Sequence, residues 1–190
     1  LNGMRREVLK SLEKAIVAAY RRNESVLTDS SNIIKKLHRK KGARIVEVQN
    51  KEQLINLTAD AVIINPIEFN IVNILEIVAC AVQSSNNLFV KMPRINRNGA
   101  FDTIMEAVRF YRLGILADNA YAVEYARENG IPYIAGTGLN IYNSIAFDYY
   151  SDAEYIMPSP EIGVALCENG GIIFSLGRLP LMTLTHCPFS

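Results

Sequence analysis

From residue 43 onward, short apolar runs alternate with longer amphipathic stretches, and this rhythm leaves few folds open. The runs are Ala43–Val48, Ala61–Asn65, Leu88–Met92, Gly114–Ala117, Tyr133–Gly136, Glu154–Met157 and Ile172–Ser175. Between most of them lie helical patterns. Ile71–Val82 is rich in Ile, Val and Leu, and Ala100–Arg112 gathers Phe101, Ile104, Met105, Val108 and Tyr111 on one face. Asn119–Asn129 ends at Gly130, a favourable residue just past a helix. Strands that are apolar at nearly every position are covered on both faces. Their alternation with helices predicts an α/β fold with a mostly parallel sheet. The short units favour a TIM-barrel-like (β/α) barrel, with room for it to be incomplete, over an open doubly wound sheet.

Ahead of this pattern, residues 2–24 read as one helix, with Met4, Val8, Leu12, Ala15 and Ala19 at helical steps. Arg5, Arg6, Lys10, Lys14, Arg21 and Arg22 take the other faces. Residues 25–42 read as a basic connector with a short helix of its own, ending in Lys40-Lys41-Gly42. The expected division is an N-terminal helix and connector over 1–42 and a barrel-like domain over 43–190. Residues 1–50 hold 12 Lys/Arg against 5 Asp/Glu, while the whole chain carries only +1. A basic head on an acidic body fits an anionic partner, or simply a solvated helix and linker.

Nearly half of the residues are apolar, which excludes a disordered chain. No apolar stretch approaches the ~20 residues of a membrane span, so no membrane is expected as a partner. Charged residues follow Leu1 at once, without the pattern of a secretory signal. The three cysteines (Cys80, Cys167, Cys187) are widely spaced and odd in number, so a disulfide framework is not the organising principle. A reducing, cytoplasmic setting is expected.

In α/β folds of this kind, ligands meet the carboxyl ends of the strands. The polar residues following each run are therefore the candidates. Arg94 and Arg97 follow Leu88–Met92, and planar guanidinium forks suit a carboxylate or phosphate. Asp118 and Asn119 follow Gly114–Ala117, either as an active-site pair or as a helix cap. After Tyr133–Gly136 come Thr137, Gly138, Asn140 and Asn143, around the start of a helix where a phosphate cradle is conceivable. The full dinucleotide fingerprint is absent. Glu161 follows Pro158-Ser159-Pro160, placed to serve as a general base or as the first acid of a helix. Near the end, Arg178 precedes His186 and Cys187, and Cys187 has the chemistry of a soft metal ligand or nucleophile. There is no Cys-x-x-Cys, no Gly-x-Ser-x-Gly elbow and no His-Glu-x-x-His. With two histidines in the chain, no Ser/His/Asp triad can be assigned.

Four of these segments resemble the collagenase-like peptidases, a family of unassigned catalytic type. Leu1-Asn2-Gly3-Met4-Arg5-Arg6-Glu7 resembles the family's LN-x-LRRE helix, and Met92-Pro93-Arg94-Ile95-Asn96-Arg97 its LPRI-x-R strand end. Gly138-Leu139-Asn140-Ile141-Tyr142-Asn143-Ser144 is similar to its LNVYNS segment. Gly177-Arg178-Leu179-Pro180-Leu181-Met182, with His186-Cys187-Pro188, is similar to its YGRLPLM…CP segment. The order and spacing of the four cover almost the whole chain. The sequence departs from the family pattern at Leu176 and Gly163.

The resemblance implies a TIM-barrel-like fold, here the second barrel-like region of a longer protein, and a peptide or protein substrate. On this reading Glu161 and Arg178 are the catalytic candidates. Arg94, Asn119, Asn140 and Asn143 would bind substrate. Other members of the family resemble RNA or ubiquinone hydroxylation factors that hold an iron–sulfur cluster on four cysteines. In that alternative, Cys187 would be the first cluster ligand, the remaining ligands would lie elsewhere in the full-length protein, and RNA would be the partner. A third alternative is a non-catalytic barrel that positions the remainder of the full-length chain.

Overall fold

The computed structural model describes residues 2–20, 42–67, 70–82, 87–95, 100–162 and 171–177. The chain divides into two compact units, Leu1–Ile33 and Ile34–Ser190. In the first, helix α1 spans Asn2–Tyr20. Met4, Val8 and Leu12 follow one another along it at four-residue steps, and all three are exposed. The connector expected over 25–42 lies outside the described residues except for Gly42.

In the second unit, six strands form one parallel sheet in strictly sequential order, curled as a half-barrel. They are β1 (Ile45–Val48), β2 (Ala61–Ile64), β3 (Leu88–Lys91), β4 (Gly114–Ala117), β5 (Tyr133–Ala135) and β6 (Tyr155–Ile156). The register runs Ile45 to Ala61, Val62 to Leu88, Phe89 to Gly114, Ile115 to Tyr133 and Ile134 to Tyr155. A doubly wound sheet reverses its strand order at a switch point. No reversal occurs here, so the connections wind in one direction, and crossovers of constant hand then put their helices on one face.

The helices are α2 (Ile71–Ala81), α3 (Ala100–Tyr111), α4 (Ala120–Asn129) and the short α5 (Ser144–Tyr149). The period-two alternation of the strands sorts their side chains into two sets. Val48, Val62, Ile64, Val90, Ile115, Ala117, Ala135 and Ile156 share one buried cluster with Ile74 and Ile77 of α2, Phe101 and Ile104 of α3, and Val123 of α4. Burying an Ile or Phe in this layer contributes about 1.5–3 kcal/mol each. Ala61, Ile63, Phe89, Leu116, Ile134 and Tyr155 form a second, smaller cluster on the opposite, inner face. There Phe89 meets Tyr155 edge to face at 6.4 Å. The Phe89 ring lies directly over Gly114, where a Cβ would stand 2.3 Å from it.

Helix ends follow local chemistry. Asn70, Asn119 and Asn143 each accept a hydrogen bond from the backbone N–H three residues on, and so cap α2, α4 and α5. Gly130 closes α4 in the left-handed region at φ 62°, as its position after Asn129 predicts. The seventh expected run differs. Ile172 donates one backbone hydrogen bond to the Ile156 carbonyl at 2.7 Å, but residues 171–177 form no regular strand. Among the described residues this is the segment's one bond to the sheet, and its Ile173, Phe174 and Leu176 side chains are exposed.

Candidate functional site

Because the strands are parallel, their carboxyl ends share one rim, and the loops that follow them are brought together there. After β4, the two neighbours Asp118 and Asn119 do different work. Asn119 Oδ1 accepts from the Ala122 N–H at 2.8 Å, while its Nδ2 donates to the carbonyls of Pro93 (3.1 Å) and Arg94 (3.3 Å). The side chain thus caps α4 and ties the loop after β3 to the loop after β4. Arg94 is held by its backbone in this way, and its side chain is exposed.

Asp118 is 6% exposed and accepts from the Gly138 N–H at 3.0 Å. The loop after β5 folds closely around it. A Cβ on Gly136 would stand 2.2 Å from Asp118 Oδ1, and one on Gly138 2.3 Å from the Asp118 carbonyl oxygen. These glycines therefore serve close approach to a buried carboxylate. Asn140, two residues on, sits exposed in the left-handed region at φ 54°. Asn143 is spent on capping α5.

The loop after β6 meets the loop after β5. The Ser159 N–H donates to the Ile141 carbonyl at 3.0 Å, and the Tyr142 hydroxyl donates to the Glu161 carboxylate. Asn140, Asn143 and Glu161 therefore belong to one loop cluster, whereas Arg94 and Asn119 belong to a second, around the ends of β3 and β4. Arg178 and Cys187 lie outside the described residues, as do Asn96 and Arg97.

The inner face carries a third group. Glu47 of β1, Asn65 just after β2 and Lys91 of β3 fall on successive strands, and alternation places all three on the side away from the helices. Asn65 Nδ2 donates to Glu47 Oε1 at 2.6 Å, and Lys91 Nζ lies 3.3 Å from both Glu47 oxygens. The Glu47 side chain is 38% exposed and that of Lys91 21%. Below them lies the apolar inner layer of Ile63, Phe89 and Leu116. None of the three follows an apolar run: Glu47, Asn65 and Lys91 all lie inside the runs. The available signal is a charged residue within an otherwise apolar strand, Ile-Val-Glu-Val and Leu-Phe-Val-Lys. On the outer side of the same rim, a cleft of about 400 Å³ opens beyond β1 and β2, lined by Gln49, Asn50, Lys51, Ile67, Asn73 and Glu76.

At the other ends of the strands, Arg127 grips Asp152 with two bonds of 2.8 and 2.9 Å, and the Tyr133 hydroxyl donates to Asp152 at 2.8 Å. The hydrogen bonds from Arg127, and then from Tyr133, hold the Asp152 carboxyl below its usual range. Burial, and next the bond to Asp152, push the Tyr133 phenol up. Arg127 also packs against the Tyr149 and Tyr150 rings. This knot ties α4, β5 and the segment before β6 at the amino-terminal face, where barrel-like folds keep stability rather than chemistry.

Among the described residues, no group of three or more His, Cys, Asp or Glu side chains is placed to hold a metal ion. Cys80 is half-buried on α2 against the helix-side core. Cys167 and Cys187 lie outside the described residues. No described helix is long and apolar enough to cross a membrane. No family model, curated protein or solved structure matches the chain.

Proposed function

We propose that residues 43–190 form part of a TIM-barrel-like peptidase, a collagenase-like domain that hydrolyses peptide bonds in a cytoplasmic protein. The observation that carries this reading is the Tyr142–Glu161 hydrogen bond, which sets a carboxylate beside a phenol at the carboxyl-end rim of a parallel sheet. That rim is where folds of this kind do their chemistry. The resemblance of Gly138–Ser144 and Gly177–Met182 to peptidase segments supports the same assignment.

In this reading Glu161 takes a proton from water as the water oxygen bonds to the scissile carbonyl carbon. The same proton then passes to the leaving nitrogen as the C–N bond breaks. Tyr142 orients the carboxylate. Arg94 and Arg178 hold an anionic group of the substrate, and Asn140 lines its path. The test is gelatin cleavage by the full-length protein. Glu161→Gln should lower the rate at least about a hundredfold, the ordinary scale of a general base, and unchanged cleavage would refute the assignment.

One observation favours the alternative of an iron–sulfur RNA-modification factor: Arg5, Arg6, Lys10 and Lys14 are all exposed on α1. Iron analysis and visible absorption of the anaerobically purified full-length protein separate the two. An iron-free protein that cleaves gelatin is the peptidase. A coloured, iron-loaded protein that does not is the modification factor.

A further inference from the structure

We infer that Glu47, Asn65 and Lys91 form a binding site for an α-ammonium group with an adjacent carbonyl oxygen, the group found at the amino terminus of a peptide and in a free amino acid. The inference deepens the peptidase reading by naming the part of the substrate that the inner face recognises, and it rests on that reading only for the word substrate.

Three observations lead to it. First, the trio stands on the strand-end half of the inner face, with an apolar floor beneath, so a ligand there meets charge at one level and hydrocarbon below. Second, the hydrogen-bonding capacity is incompletely used by the bonds described. An ammonium has three N–H donors, and a carboxylate can accept about four bonds. Lys91 reaches the two Glu47 oxygens at 3.3 Å, a long distance for a charge-assisted bond. Glu47 Oε1 is anchored by Asn65 at 2.6 Å, which leaves Oε2 as the freer acceptor. Third, the pair is electrically neutral. A simple anion would meet Lys91 but be repelled by Glu47, and a simple cation would suffer the reverse.

A ligand that offers a donor and an acceptor side by side satisfies both partners at once. An α-ammonium nitrogen and the neighbouring carbonyl oxygen are separated by two backbone bonds and a C=O, about 3 Å in space. That span matches the 3.3 Å between Lys91 Nζ and the Glu47 oxygens. The ammonium binds Glu47, the carbonyl oxygen binds Lys91, and Asn65 holds Glu47 in place. An acetylated amino terminus loses the positive charge that Glu47 receives.

The experiment is calorimetric titration of the full-length protein with triglycine, N-acetyltriglycine and free glycine. Triglycine should bind about tenfold or more tightly than N-acetyltriglycine, the scale of one charge-assisted hydrogen bond. Glu47→Gln and Lys91→Met should each weaken triglycine by a similar factor, with unchanged thermal melting as the check on folding. If glycine matches triglycine, the source is a free amino acid; if only triglycine binds, it is a peptide terminus. Equal binding of the acetylated and free peptides by the unaltered protein overturns the inference without recourse to any variant, as does the absence of binding by all three. Glu161→Gln separates this result from the peptidase assignment. Loss of cleavage with triglycine binding retained supports both. Binding without any cleavage in the unaltered protein leaves this site standing and ends the peptidase reading.

Discussion

The backbone N–H of Gly138 donates to the buried carboxylate of Asp118 at 3.0 Å, and the glycine lies against the Asp118 carbonyl too closely to carry a side chain. This contact places the loop that bears Asn140 and Tyr142, and so determines where Tyr142 can reach Glu161.

Gly138→Ala should therefore cost about 1–3 kcal/mol of stability, the range of an overpacked site, because the obstacle is backbone rather than a movable side-chain tip. Urea denaturation measures it. On the proposed peptidase reading, gelatin cleavage should fall further than stability alone explains, since Tyr142 is displaced. Neutral stability in Gly138→Ala would show that the loop gives way without cost.

Gly114→Ala tests the inner layer in the same manner. The new methyl would stand 2.3 Å from the Phe89 ring and 2.9 Å from the Pro132 carbonyl oxygen, so neither neighbour can simply turn aside. A loss of about 1–3 kcal/mol in urea is expected. The double variant Gly114→Ala/Phe89→Leu should recover part of the loss, if the ring is the main obstruction.

Asn119→Ala removes a cap and a tether together. The cap alone is worth about 1 kcal/mol. The lost bonds to Pro93 and Arg94 should also free the loop after β3. Hydrogen exchange should therefore quicken at Arg94 and Ile95 as well as in the first turn of α4. Faster exchange in α4 alone would show that the tether adds nothing.

Asp152 links stability to pH. Its folded pKa lies below the unfolded value because Arg127 and Tyr133 donate to its ionised form. A depressed carboxylate contributes stability that is fully present above the unfolded value of about 3.9 and is lost as pH falls through the folded one. Asp152→Asn should thus lose about 1 kcal/mol at pH 7, a modest figure because the pair is partly exposed. The gap from the unaltered protein should close as pH falls below about 4. A gap that persisted undiminished at low pH would assign the loss to packing instead.

Much of the fold was legible as sequence. Gly114–Ala117 reads as a strand and is one, and Ile71–Val82 and Ala100–Arg112 differ from their helices only at the last residue. Their apolar periodicity and their caps are local, so a linear reading suffices. Ile172–Ser175 has the composition of a strand but, among the described residues, meets the sheet through the Ile172–Ile156 bond, and composition does not reveal ladder partners. The site was less legible. Asp118 and Asn119 look alike as neighbours after a strand, yet one is buried under a glycine loop and the other caps a helix. Glu47 and Lys91 look like interruptions of apolar runs. Their significance depends on which strand face turns away from the helices, and that is decided only when the sheet is assembled.

Among the described residues, each strand pairs only with the strands next to it in sequence, across register separations of 16 to 26 residues. Such low contact order lets assembly proceed stepwise, each strand-and-helix unit docking on the one already made. A chain still emerging from the ribosome could therefore bury its first strands before the last had been synthesised. By the same logic, trimming from the β6 end should shorten the sheet rather than dissolve it.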